Sequence, residues 1–85
     1  MKDRESILLS QMYSTVRVVR LIGAAADYDF CGFNQRSPAV GDTGTLIHTL
    51  EASDLPMKFV VENCDDKGVP IWLAEFVQEE LELVE

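Results

Sequence analysis

Apolar positions fall into short runs punctuated by Gly, Asp, Ser and Pro, the pattern of a small β domain rather than a helical one. The start differs: within residues 3–13, Ile7, Leu8 and Met12 recur near helical spacing and Asp3 suits an N-cap, so a short N-terminal helix is expected there. Residues 16–22 are rich in β-branched side chains and read as a first strand that Gly23 ends. Residues 40–50 turn from irregular chain into a second strand: Gly41 and Asp42 supply turn chemistry, and the missing side chain of Gly44 marks either a bulge or the close passage of another backbone. A polar hairpin connection over 51–56 leads to a third strand, 57–63, with Met57, Phe59 and Val61 on one face. Gly68 then permits the left-handed backbone of a tight turn over 65–68.

The fourth strand is expected over 69–74, with Pro70 at its start or edge. If Ile71 and Leu73 point inward, Trp72 faces out; alternatively Trp72 covers the domain beneath the N-terminal helix. Alternation lapses over 75–80, as in a helical turn, and 81–84 closes as a fifth strand with Leu81 and Leu83 inward and Glu82 outward. Five short strands, one long first connection and a helical turn before the last strand predict a mainly β fold, a five-stranded SH3-like barrel over 16–85 behind a helical segment at 1–15.

That first connection, residues 24–38, is long enough to suggest a function, and it carries Tyr28, Phe30 and Phe33. These aromatics read either as a packed lid over one end of the domain or as an exposed partner surface.

Composition narrows the choices. At 85 residues the chain is one domain with a small core, and 47% hydrophobic content separates it from disordered chains. A net charge of −8 repels phosphate backbones and argues against sequence-independent nucleic-acid binding, while carboxylates gathered at the C-terminal end, Glu79, Glu80 and Glu82 among them, suit a basic partner. The acid-bearing start is unlike a signal peptide and no apolar run is long enough to cross a bilayer, so a cytoplasmic location without membrane association is expected. Cys31 and Cys64 are expected as free thiols, since small secreted domains normally carry several disulfides.

Candidate chemistry is sparse. His48 is the sole histidine, and a Cys/His enzyme would pair it with Cys31 and an orienting Asp29, a geometry that the spacing does not select. Asp27 with Asp29, and Glu62 with Asp65 and Asp66, are oxygen donors lacking the spacing of a calcium loop, and read as solvated turns. Gly41 to Gly44 lacks the lysine and following helix of a phosphate cradle. No metal or cofactor is expected.

The run from Val40 to Thr45, the segment Phe59-Val60-Val61-Glu62, the acidic glycine turn and the acidic, leucine-bearing end together resemble small bacterial SH3-like barrel proteins of unknown function, some of them similar to immunity proteins or gene-cassette products. The resemblance covers roughly residues 16–84 and implies no catalytic residues. The expected function is non-enzymatic protein binding, adaptor or immunity-like, through Tyr28, Phe30, Phe33, Trp72 and the acidic face of Glu79, Glu80 and Glu82. A homo-oligomer assembling through the N-terminal helix and a barrel edge or Trp72 is the alternative, and a Cys/His enzyme a third.

Overall fold

The computed structural model describes residues 12–29 and 32–84. Its strands are β1 (Thr15–Val18), β2 (Thr43–Ala52), β3 (Leu55–Cys64), β4 (Pro70–Phe76) and β5 (Leu81–Leu83), with 3-10 turns at Ala25–Tyr28 and Gln78–Glu80. All pairings are antiparallel, in the order β4-β3-β2-β1-β5.

The sheet is open, which corrects the expected SH3-like barrel. β4 and β5 are the two ends of the strand order and no pairing joins them. Two features keep it open. β5 has only three residues to offer. The outer edge of β4 is already taken by the long loop: the Gln35 N–H donates to the Ile71 carbonyl at 2.8 Å and the Leu73 N–H donates to Asn34 Oδ1 at 2.9 Å. The helix expected over 3–13 lies outside the described residues except for Met12 and Tyr13, which form a turn in which Tyr13 has a φ of 68°, outside helical geometry. No α-helix occurs among the described residues.

Alternation along the strands builds one core. Val16, Val18, Leu46, Phe59, Val61, Trp72, Ala74, Phe76 and Leu81 point to a common side, joined by Tyr28 from the first 3-10 turn, while Met12, Met57, Ile71 and Leu83 pack partly buried around them. Tyr28, Phe76 and Trp72 form an aromatic row, with ring centroids 5.4 Å apart for the first pair and 5.7 Å for the second. Met57, Phe59 and Val61 share a face as expected, and so do Leu81 and Leu83.

Trp72 does not. It is 1% exposed, so the outward position is corrected: β4 turns Trp72, Ala74 and Phe76 to the core and leaves Ile71, Leu73 and Glu75 on the opposite parity. The alternative, Trp72 beneath an N-terminal helix, turns on residues that lie outside the described ones.

The glycines at two turns behave as their positions suggest, Gly41 at φ 98° and Gly68 at φ 84°. Gly44 serves close passage, not a bulge. A Cβ there would lie 2.6 Å from the Glu62 carbonyl oxygen and 2.7 Å from Val61 Cγ1, and the irregularities of β2 against β3 fall instead between Leu46 and His48 and between Leu50 and Ala52. The hairpin connection is also tighter than expected, since Ala52 pairs with Leu55.

Candidate functional site

Three sets of polar contacts pin the long loop between β1 and β2. The first centres on Asp42, just before β2. Its Oδ2 accepts from Arg36 Nη1 at 2.7 Å, from the Ala39 N–H at 2.9 Å and from Trp72 Nε1 at 3.0 Å. One carboxylate thus holds the loop's end, the start of β2 and the central core aromatic together. Burial alone would raise the Asp42 pKa; the hydrogen bonds from Arg36, Ala39 and Trp72, with the Arg36 charge, outweigh it and hold the carboxyl below its usual range.

The second set lies at the opposite side of the loop. Glu80 is 3% exposed, and its carboxylate takes donors from three segments: the Tyr28 hydroxyl at 2.5 Å and the Ile22 N–H at 2.9 Å on Oε2, and the Val77 N–H at 2.9 Å on Oε1. The Tyr28 hydroxyl in turn accepts from the Gly23 N–H at 2.6 Å. Burial, and then the hydrogen bond to Glu80, push the Tyr28 phenol above its ordinary pKa. Ile22, Gly23, Asp27, Lys58 and Glu75 join these two residues around a polar cavity of about 310 Å³.

The third set presents a surface. Asn34 spans the edge of β4 as a peptide group would: Nδ2 donates to the Leu73 carbonyl at 3.3 Å while Oδ1 accepts from the Leu73 N–H. Gln35 follows, its backbone N–H on the Ile71 carbonyl and its Nε2 on the Pro70 carbonyl at 2.8 Å. Phe33, immediately before this clamp, is 86% exposed. With Asn34, Glu62, Pro70, Ile71, Trp72 and Leu73 it lines a largely apolar dent of about 220 Å³. An aromatic side chain left in water on a loop whose backbone is held is the form of a preorganised contact.

The residues expected to meet a partner are therefore divided. Phe33 is on the surface; Phe30 lies outside the described residues. Tyr28, at 4% exposure, is part of the core, a lid rather than a contact surface, and Trp72 is covered. Of the acidic face, Glu80 is withdrawn into its hydrogen-bond network, Glu79 is exposed with its carbonyl accepting from Arg20, and Glu82 is half-exposed and paired with Arg17 across β1 and β5 at 2.7 Å. Of the expected contact set, Tyr28, Trp72 and Glu80 are thus buried.

The remaining chemistry stays dispersed. Asp27 accepts from the Ala24 N–H and Asp29 from the Gly32 N–H, and the Asp65 carboxylate binds the Lys67 and Val69 N–H groups of its own turn. No cluster that would hold a metal ion occurs among the described residues. His48 is exposed on β2, and Cys31 lies outside the described residues. Cys64 is a free, exposed thiol; desolvation at its site, then the charge and hydrogen bond of Glu62 and the charge of Asp65, raise its pKa, the opposite of nucleophile activation. No helix among the described residues is long and apolar enough to cross a membrane.

Asn34, Gln35, Ile71 and Leu73 were not singled out by sequence reasoning. The available signal was the amide pair Asn34-Gln35 directly after an aromatic in a long loop, since such amides can bond a strand edge. Comparisons with protein-family models, with curated proteins and with solved structures find no match. Of the expected family likeness, what the structure carries is a small mainly β domain with a five-stranded antiparallel sheet.

Proposed function

We propose that this chain is a non-enzymatic binding module that takes an apolar, basic-flanked segment of a protein partner on the shelf formed by Phe33, Pro70, Ile71 and Leu73. The observation that carries the reading is the exposure of Phe33 on a clamped loop beside an apolar dent. Exposed aromatics beside apolar pockets are the usual anchors of protein interfaces. Charge supplies the second preference: Glu62 lines the dent, Asp65 and Asp66 follow in the next turn, and the chain carries −8 overall. An adaptor or immunity-like role fits such a module, and the free Cys64 thiol suits a reducing, cytoplasmic setting.

Selection of a displayed random-peptide library on the immobilised protein tests this. Enriched peptides are expected to carry an apolar residue near Lys or Arg, to bind less at high salt and to lose binding to Phe33→Ala. Enriched peptides that bind Phe33→Ala equally well would overturn the proposal.

A further inference from the structure

The long loop treats β4 as a strand edge in search of a partner. Outward-directed backbone groups at Ile71 and Leu73, those that a neighbouring strand would bond, are instead met by the Gln35 N–H and the Asn34 side-chain amide. Among the described residues, Gln35 contributes a backbone group to this edge and the Asn34 amide substitutes for a peptide unit. An incoming strand would replace the bonds at Ile71 and Leu73 but release those of Asn34 Nδ2 to the Tyr28 carbonyl at 3.1 Å and of Gln35 Nε2 to the Pro70 carbonyl at 2.8 Å, so its side-chain contacts must outweigh that loss.

We propose that the Asn34-Gln35 clamp is an internal stand-in for a partner strand, and that the partner segment binds by adding to β4 as an antiparallel sixth strand in its place. This rests on the shelf reading, which it deepens by specifying backbone pairing and a residue pattern. Side chains at alternate positions of an added strand fall beside Ile71, Leu73 and Glu75, which share one parity opposite to the core residues Trp72 and Ala74. Two apolar residues beside Ile71 and Leu73, and a basic residue beside Glu75, complete that face. The partner is thus an extended segment reading basic-x-apolar-x-apolar in the antiparallel direction.

A fluorescein-labelled synthetic peptide, Thr-Lys-Thr-Val-Thr-Val-Thr, serves as the probe, read by anisotropy against the full chain. Two N-methylated versions accompany it, one blocked at both Val amides, which face β4, and one at the flanking Thr amides, which face away. The account predicts binding by the parent and the Thr-methylated peptide, and loss with the Val-methylated one. Asn34→Ala, which removes the internal competitor, is expected to tighten binding roughly fivefold or more, as the competent fraction rises. The methylated peptides need no variant, so the test survives a misfolded Asn34→Ala. Equal binding of both methylated peptides overturns strand addition; if that binding still disappears in Phe33→Ala, the shelf reading stands without it. No binding to either protein also overturns strand addition, while the library selection continues to test the shelf on its own.

Discussion

Gly44→Ala isolates the close passage of two backbones on which the packing of β2 against β3 depends. The added methyl carbon would stand 2.6 Å from the Glu62 carbonyl oxygen and 2.7 Å from Val61 Cγ1. Val61 is fully buried in the core, and Glu62 is held in the ladder between Thr45 on β2 and Leu73 on β4, so neither neighbour can retreat alone. Overpacking of this kind costs about 1–3 kcal/mol, and a backbone obstacle puts this site toward the upper end. The loss of unfolded-chain freedom on replacing glycine returns about 0.4–1 kcal/mol. The net expectation is a destabilisation of about 1–2.5 kcal/mol. With a urea m-value near 1 kcal/mol/M for a chain of this size, the midpoint falls by about 1–2.5 M. Trp72 is the only tryptophan and lies in the core, so its fluorescence reports the transition directly. A midpoint unchanged or raised in Gly44→Ala would refute the argument, since relief of the clash would then have been free.

Three further outcomes follow from the polar networks and the shelf. Asp42 has a folded pKa below its unfolded value of about 3.9, so its stabilisation is present at neutral pH and is lost as pH falls below about 4; the stability gap between the wild type and Asp42→Asn in urea titrations should narrow from pH 7 to pH 3, and a constant gap contradicts the assignment. Tyr28 has a folded pKa above its unfolded value of about 10, so its contribution is present below pH 10 and is lost as pH rises through the folded value; Tyr28→Phe should cost about 1–3 kcal/mol at pH 7 by removing a donor to the buried Glu80, and should flatten the alkaline limb of the stability profile. Phe33→Ala should leave the stability from urea titration within about 0.5 kcal/mol of wild type, because the side chain is exposed; a larger loss would make Phe33 a structural residue instead of a contact.

Much of the sheet was legible because its signals are local. Gly41 and Gly68 announce positive φ by residue type, and the alternation of Met57, Phe59 and Val61 needs no tertiary knowledge. Trp72 was misplaced for a specific reason. Ile71, Trp72, Leu73 and Ala74 are apolar at both parities, so alternation within 69–74 cannot choose a face. The strand in fact runs to Phe76, and Glu75 then falls in phase with Ile71 and Leu73, which marks that parity as the solvent side. Ending the strand at Ala74 removed the one residue that decides.

Other features are not local at all. Glu80 reads as one acid among several in a solvated tail; its burial depends on donors from Ile22, Tyr28 and Val77, which only the fold assembles. The open sheet is a similar case, because nothing in the run from Asn34 to Ser37 states that its amides will occupy the edge of β4. Phe33 and Tyr28 are alike in the sequence as aromatics of one loop, yet the hydroxyl of Tyr28 ties it inward to Glu80 and Gly23, while Phe33 is left exposed beside the dent.

The claim that this protein works through the Phe33 shelf is tested most directly by amide chemical-shift mapping of the isotope-labelled chain titrated with a library-selected peptide. The account predicts that the largest saturable shifts fall at Phe33 to Gln35 and at Ile71 to Leu73, with little change at Tyr28 and Glu80 in the polar cavity. Shifts centred on that cavity, or on Glu79 and Glu82, with Phe33 and β4 unmoved, would contradict it.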